Sequence, residues 1–371
     1  MELTCNHDLE ILKTKMLSCQ CMYTFTERMA NWRNEIDSEL SSFFTKKIGE
    51  KTDDFIRKVV ELLGEFTLGG GKRVRPVLVI AGHDLFSPHD EKIVKASISM
   101  EISQSYFLIQ DDVMDQSDLR RGKPSFHVAV TERLLSGLSH DKRLAENIAI
   151  VASDLAESYC HETLLSSGFP PDRLRAANYE LSKVFEMTGE GQLLDLYSSI
   201  NSEFAESDLM RTHLLKTANY TVSGPLKIGT ILSGNISHIN DLNYFGSLIG
   251  VAFQIQDDIL GLYGSEKTIG KSPKTDMNEG KKTLLILKAM ERSSDADRKF
   301  IASRLGKGSI SDEDFERVKK IVSDTGSLDF SIKISRDLVE RGKKYLDNVD
   351  GNVEIKSFLG DMADYLIKRE N

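Results

Sequence analysis

The sequence predicts an all-α protein that forms a single large helical domain, and three observations support this. Apolar residues recur at three- and four-residue steps through nearly the whole chain, as they do on one face of a helix. Alternating apolar and polar runs, which are typical of strands, are nearly absent, and only 7 of the 371 residues are Pro. Apolar residues make up 40% of the chain, which is enough for a large core at this length.

The helices follow one another along the chain without a Pro/Ser-rich linker between them. Apolar periodicity predicts helices over residues 27–50, 53–66, 77–86, 90–115, 141–166, 171–200, 206–221 and 240–263, with four more between 281 and 368. Pro76 suits the first turn of a helix because that turn needs no backbone donor. Residues 264–280 are predicted to be a long polar loop. We therefore predict an N-terminal extension over residues 1–26 and one domain over residues 27–371.

Charge and cysteine usage exclude several classes of function. The net charge of −9 is a poor match for a nucleic-acid binder, which needs a basic face. No apolar run approaches the ~18 residues of a membrane helix, and the acidic N-terminus lacks the pattern of a signal peptide. Four cysteines do not make a disulfide framework, so a cytoplasmic location is expected.

The N-terminal cysteines invite a metal-site interpretation. Cys5, His7, Cys19 and Cys21 are spaced C-x-H-x11-C-x-C, whereas structural zinc usually takes C-x2-C. Incidental thiols on an N-terminal tail are the favoured interpretation.

An acidic cluster ends the fourth predicted helix. Asp111, Asp115 and Asp118 are spaced i, i+4 and i+7, so we expect them to lie on one helix face. Like charges at that spacing repel, and a hard divalent cation with oxygen ligands neutralises such a group. Arg120 and Arg121 follow at once, and guanidinium groups beside carboxylates suit a bound phosphate. A solvated acidic helix end with salt bridges explains this cluster alone equally well.

A second acidic cluster favours the functional interpretation. The segment FQIQDD ends another apolar helix with Asp257 and Asp258, and Lys271 and Lys281 follow in a glycine-bearing segment. Two acidic helix ends, each followed by cations, predict a site that holds a diphosphate through several Mg²⁺ ions and basic side chains.

A segment rich in glycine and cations precedes the third helix. It reads GGGKRVRP over residues 69–76, and helix N-termini and glycine backbone amides bind anions. Alone, it fits a basic turn equally well. Neither this segment nor GSEKTIGKS over residues 264–272 has the spacing of a nucleotide P-loop, so no such loop is predicted.

Taken together, these segments resemble the trans-prenyl diphosphate synthases, the family of farnesyl and geranylgeranyl diphosphate synthases. The resemblance extends from about Phe55 to Arg369. The motifs that carry it are GGKRVRP at 70–76, DDVMDQSDLRRGKP at 111–124, KTA at 216–218, FQIQDD at 253–258 and GKSPKTDMNEGKKT at 270–283. It implies an isoprenoid synthase fold around a central cavity, usually in a homodimer, and head-to-tail condensation of an allylic diphosphate with isopentenyl diphosphate.

The resemblance also implies roles for individual residues. The main Mg²⁺ ligands match Asp111, Asp115 and Asp257, with Asp112, Asp258 and Asp276 as supporting acids and three ions expected per site when diphosphate is bound. Contacts to the allylic diphosphate match Arg120, Lys216, Lys271 and Lys281. Contacts to isopentenyl diphosphate match Lys72, Arg75, Gln104 and Arg121. The catalytic groups near the reacting carbons match Lys216, Thr217 and Gln254. The family's second motif is often DDxxD, but Gly261 stands at its fifth position here, which removes one acid from that side.

The resemblance implies that the length of the product depends on residues one turn before the first acidic cluster. Tyr106 and Phe107 precede Asp111 by five and four residues, about 6–7.5 Å along a helix, so their rings are expected on the path of the growing chain. Two adjacent aromatics resemble the farnesyl diphosphate synthases, and a fifteen-carbon product is the favoured expectation. The DDILG motif at 257–261 resembles archaeal-type sequences and supports the alternative, geranylgeranyl diphosphate. Ordinary core packing explains both rings without any role in specificity.

Two more distant functions share this fold. A terpene cyclase needs no isopentenyl diphosphate site, so Lys72, Arg75 and Arg121 argue against it. A non-catalytic partner subunit typically loses the first acidic cluster, which this chain retains at Asp111 and Asp115.

Overall fold

The computed structural model describes residues 24–139, 141–201, 203–264 and 272–368, and almost all of its elements are helical. The α-helices are α1 (Phe25–Gly49), α2 (Asp54–Leu68), α3 (Val74–Asp84), α4 (Glu91–Met114), α5 (Phe126–Ala129), α6 (Lys142–Leu165), α7 (Pro171–Ser198), α8 (Glu206–Thr212), α9 (Gly224–Ser233), α10 (Ile239–Tyr263), α11 (Thr275–Glu279), α12 (Leu284–Arg292), α13 (Asp295–Arg304), α14 (Asp312–Asp324), α15 (Ser327–Asp347) and α16 (Val353–Ile367). Two π-helical segments, π1 (Val130–Leu134) and π2 (His213–Ser223), and a hairpin of β1 (Leu119–Arg120) and β2 (Lys123–Pro124) complete them.

Side-chain caps fix where several helices begin. Thr24 and Glu27 form a reciprocal capping box at the start of α1. Asp53, Asp90 and Asp141 accept hydrogen bonds from the first backbone amides of α2, α4 and α6. These polar caps explain why the observed starts fall within two residues of the predicted ones.

The chain after α7 departs most from the prediction. The helix predicted over residues 206–221 is two segments, because α8 passes into the wider turns of π2, and α9, which follows π2, was not predicted. Five helices, not four, follow residue 281, and α11 lies inside the predicted loop 264–280. The all-helical prediction is confirmed, while the domain boundary at residue 26 stays a prediction.

The helices pack around two apolar clusters that meet along π2 and α10. The larger cluster takes side chains from α1 to α7, α9 and α16, with Ile36, Leu78 and Leu359 fully buried. The smaller cluster lies between α10 and helices α12–α14. Helix α4 packs along α6, and α10 lies between α15 and π2. No described helix is both long enough and apolar enough to cross a bilayer.

Helix α4 ends before its acidic cluster does. Asp115 caps the helix, and Gln116 has a left-handed backbone with φ of 51°. Asp118 therefore lies beyond the helix and is exposed, so the prediction that it shares a face with Asp111 and Asp115 is wrong.

Candidate active site

Two half-buried lysines, Lys216 and Lys281, lie beside the acidic end of α4. Asp111 lies in the last turn of α4, and its Oδ1 is 3.8 Å from Lys216 Nζ. Lys216 lies on π2 beside Thr217, whose hydroxyl donates to Gln254 on α10 at 2.7 Å. The motifs at residues 111, 216 and 254 thus converge, as the sequence predicts.

Lys216 is held most closely by an acid that the motifs did not reveal. Its Nζ donates to Asp195 Oδ2 at 2.6 Å, and the amide of Gln192 donates to Asp111 Oδ1 at 3.5 Å. Burial disfavours the charged form of Lys216, but the charges of Asp195 and Asp111 outweigh it and raise the pKa of Lys216. Gln192 and Asp195 are spaced i, i+3 on α7, a pattern that could have marked a shared polar face.

Asp115 faces a second lysine, Lys281. The Nζ of Lys281 is 3.8 Å from Asp115 Oδ2, 3.8 Å from Asp276 Oδ1 and 2.7 Å from Glu279 Oε2. Burial, and then the charge of Asp111, raises the pKa of Asp115 to about 6. Glu279 is a further site acid that was not predicted from the sequence.

Gly261 makes room for a carboxylate from another segment. A Cβ at this position would lie 2.5 Å from Asp276 Oδ2, closer than such atoms approach. Asp276 therefore occupies the place of the acid that is missing from the fifth position of the second motif. This side of the site has more acids than the second motif alone suggests.

Asp112 and Asp258, both predicted as metal ligands, are buried and bonded to protein partners. Arg120 Nε donates to Asp112 Oδ1 at 2.8 Å, and the same guanidinium lies 3.5 Å from Asp111. Gln254 Nε2 donates to Asp258 Oδ1 at 2.9 Å, and His213 Nε2 lies 3.4 Å from the other oxygen. These contacts orient the arginine and the amide beside the site.

A separate basic group lies between the glycine-rich segment and the β1–β2 hairpin. Arg75 donates to Thr221 Oγ1 at 2.9 Å and stacks on the ring of Tyr220 at 3.9 Å. Lys72 Nζ lies 4.9 Å from the ring of Tyr365, and Arg121 donates to the carbonyl of Gly70. Gln104 lies on α4 and is half-buried. Desolvation lowers the pKa of Arg121, and nearby Arg73 and Arg75 lower it further. The structure therefore gathers several cations in one small volume.

Four aromatic rings meet on the α4 side of the site. The ring centroid of Phe107 is 5.0 Å from those of Tyr106, Phe185 and Tyr220. Phe185 comes from α7 and Tyr220 from π2, so two of the four were not visible in the motif around Asp111. They close an apolar wall one turn from the acidic cluster.

Some predicted residues lie outside the described part of the chain. Lys271 falls there, as do the N-terminal residues Cys5, His7, Cys19 and Cys21.

Comparison with known proteins gives a consistent result. The family model described as polyprenyl synthetase matches residues 57–322. A geranylgeranyl diphosphate synthase of Methanosarcina mazei is 29% identical over 94% of this chain and 99% of its own length. A geranylfarnesyl diphosphate synthase of Natronomonas pharaonis is 31% identical over 81% of this chain and 86% of its own length.

A solved structure agrees with these relatives. The crystal structure of geranylgeranyl pyrophosphate synthase from Corynebacterium glutamicum, complexed with isoprenyl diphosphate and magnesium, matches with a TM-score of 0.86 and 29% identity. The match covers 91% of this chain and 99% of that one. These relatives are prenyltransferases, and they favour the twenty-carbon alternative over the fifteen-carbon expectation. The chain belongs to the polyprenyl synthetase family of prenyltransferases.

Proposed function

We propose that this chain condenses isopentenyl diphosphate with an allylic diphosphate, head to tail and with Mg²⁺, to give geranylgeranyl diphosphate. The observation that carries the proposal is the position of Lys216 and Lys281, each within 3.8 Å of a carboxylate of the first acidic cluster. A separate basic group around Arg75 offers a second diphosphate site. Two anionic substrates of this size need two such places.

The acids fit magnesium with a bound diphosphate. Within the described ranges no three His, Cys, Asp or Glu side chains form a closed metal cage. Mg²⁺ does not require one, because it is usually held by one or two carboxylates together with substrate phosphate oxygens. Burial, and then the charge of Asp111, raises the pKa of Asp115, and a bound cation would stabilise the charged form of both carboxylates. We assign Asp111, Asp115 and Asp257 as ligands of three ions, which spread the charge of the leaving diphosphate.

The side chains then act on the leaving group and on the carbons. Lys216, Lys281 and Arg120 bind the allylic diphosphate and stabilise it most strongly as the carbon–oxygen bond breaks and the electron pair leaves with it. Thr217 and Gln254 lie beside the carbons that form the new bond. The proton lost from the isopentenyl unit passes to the departing diphosphate, so no protein base is needed.

Two observations favour different product lengths. Two of the curated relatives are a geranylgeranyl and a geranylfarnesyl diphosphate synthase, with products of twenty and twenty-five carbons, which supports a product longer than fifteen carbons. The aromatic wall around Phe107 supports the second candidate, farnesyl diphosphate, because its four rings lie one turn from Asp111, on the expected path of the growing chain.

Mass spectrometry of the products tests function and length together. Purified protein is incubated with Mg²⁺, isopentenyl diphosphate and, separately, dimethylallyl, geranyl or farnesyl diphosphate. A twenty-carbon product is expected; a fifteen-carbon product that Phe107→Ala lengthens would establish the second candidate. Phe43→Ala, whose ring packs on Phe44 and Tyr159 outside this wall, is the matched control and should leave length unchanged. Absence of elongation with every primer would contradict the proposal and leave a cyclase or a partner subunit.

We also propose a homodimer that forms through α7. Tyr179, Leu193 and Tyr197 are exposed along one face of this helix, which is unusual for large apolar side chains. Leu193→Asp is expected to shift the mass in sedimentation equilibrium from dimer to monomer. The cytoplasmic location stays a prediction from sequence, which cell fractionation would check.

A further inference from the structure

Arg73 is buried inside the basic group and is not among the residues that the motifs assign to substrate. Its guanidinium donates to Glu101 Oε1 at 2.6 Å and to Asp37 Oδ1 at 2.7 Å. The side chains of Arg73 and Glu101 are only 2% and 3% exposed, so neither charge is solvated. A buried charge pair of this kind is retained only with good geometry and further hydrogen bonds.

The further hydrogen bonds all go to backbone carbonyls at the end of α2 and in the glycine-rich segment. Arg73 donates to the carbonyls of Thr67, Leu68 and Gly70 at 2.9, 3.2 and 3.3 Å. Arg73 itself has a left-handed backbone with φ of 54°, which side-chain-bearing residues seldom adopt. The planar fork of an arginine can satisfy so many acceptors at once, whereas a lysine cannot. The network therefore fixes the path of the chain from the end of α2 into α3.

This path sets the positions of the proposed contacts to isopentenyl diphosphate. Lys72 and Arg75 lie on either side of Arg73, and Gln104 lies on α4 one turn after Glu101. Arg121 donates to the same Gly70 carbonyl that Arg73 holds. The pair thus ties the glycine-rich segment, α4 and the β1–β2 hairpin to one another at one point.

We infer that Arg73 and Glu101 are positioning residues for isopentenyl diphosphate, acting through Lys72, Arg75, Gln104 and Arg121 without contacting the substrate. The inference rests on the proposed function. It predicts a defect confined to one of the two substrates, because the acids and lysines around Asp111 have no part in this network. A purely structural pair would instead lower stability and leave both substrate affinities unchanged.

The test measures binding and turnover separately in Glu101→Gln and Arg73→Lys. Titration calorimetry with isopentenyl diphosphate should give a Kd raised about tenfold, as expected when charge-assisted contacts are misplaced. In the elongation assay the KM for isopentenyl diphosphate should rise by a similar factor, while the KM for geranyl diphosphate stays within about twofold. The calorimetric titration needs no turnover. A wild-type chain that binds isopentenyl diphosphate but does not elongate the allylic substrate would therefore contradict only the proposed function, and not the role of Arg73 and Glu101.

Two further variants complete the design. Lys47→Met removes another buried cation, which joins α1 to Glu162 on α6. This site is about 20 Å from the glycine-rich segment along α2, so the variant should leave the affinities for both substrates unchanged. Asp37→Asn changes an acid partner of Arg73 that is 36% exposed, so this variant is expected to fold. It should raise the Kd for isopentenyl diphosphate about threefold. Unchanged affinity for isopentenyl diphosphate in the folded variants would overturn the inference, as would an equal loss of affinity for both substrates.

Discussion

Replacement of Gly191 by alanine tests whether the position of Lys216 controls turnover. Gly191 lies on α7 where that helix crosses π2, and a Cβ there would lie 2.3 Å from the backbone nitrogen of Lys216 and 2.6 Å from its Cα. Both neighbours are backbone atoms, so no side-chain rotation relieves the overlap. The two helices must therefore separate.

The required movement follows from these distances. Ordinary contact begins at 3.4 Å, so Lys216 must move by about 1.1 Å relative to α7. Overpacking of this kind costs about 1–3 kcal/mol of the free energy of unfolding. A misplacement of about 1 Å at a group that acts on the transition state lowers kcat by about 100-fold.

Steady-state kinetics and chemical denaturation of Gly191→Ala measure both effects. Gly189→Ala is the matched control: it lies two residues away on α7, and a Cβ there would have no heavy atom within 4 Å, so kcat should be unchanged. Its stability should rise by as much as about 1 kcal/mol, since alanine favours a helix over glycine. A Gly191→Ala protein with wild-type kcat would refute the assignment of Lys216.

Three other changes are expected to have separable effects. Asp111→Ala should reduce kcat by orders of magnitude with an unchanged thermal melt, because it removes a proposed magnesium ligand from a half-buried helix end. Gly261→Ala should lower kcat but not stability, since the carboxylate of Asp276 can rotate away; full activity would show that this acid has no role. His89 donates to Asp84, which raises its pKa to about 9, so its stabilising charge is fully present below pH ~6.5 and lost as pH rises to ~9. In denaturation experiments the free energy of unfolding should therefore fall by about 1 kcal/mol over this pH range, and His89→Gln should abolish this fall. The figure is reduced for solvent screening because the His89 side chain is one-third exposed.

Apolar periodicity predicted most of the fold, because it is a local property of the chain. The helix predicted over residues 141–166 is observed at Lys142–Leu165, with Asp141 as its cap. The π-helical turns of π2 were not predictable in this way, because π-helical turns are rare and the apolar residues of this segment were fitted to the ordinary helical period. Five helices follow residue 281 where four were predicted, and caps such as Ser311 at the start of α14 are a local signal that the prediction did not use.

The motifs predicted which residues would meet at the site but not what holds them. Asp195 lies on a long polar helix, and its i, i+3 spacing from Gln192 marks a shared polar face without showing which residue that face contacts. It reaches Lys216 because α7 and π2 touch at Gly191, which is a tertiary contact. Likewise, Gly261 suggested a lost acid, and only the packing of the following segment brings Asp276 to the same place.

The distances at the site divide its acids into two groups with different functions. Each cation makes its shortest contact to an acid outside the main predicted magnesium set: Arg120 to Asp112, Lys216 to Asp195 and Lys281 to Glu279. The same cations lie farther, at 3.5–3.8 Å, from Asp111 and Asp115. The first group therefore fixes the cations in place, and the second group is the one proposed to bind magnesium.

This division explains why the site carries more acids than cations. If Asp111 and Asp115 had to hold the cations themselves, binding of a metal by these carboxylates would release the lysine and arginine side chains. The cations would then lose their fixed positions. Because other acids hold them, charge that develops on a leaving diphosphate meets groups that are already oriented, which is the condition under which such groups stabilise a transition state most. Loss of Asp195 should for this reason impair turnover more than loss of an acid that only neutralises charge.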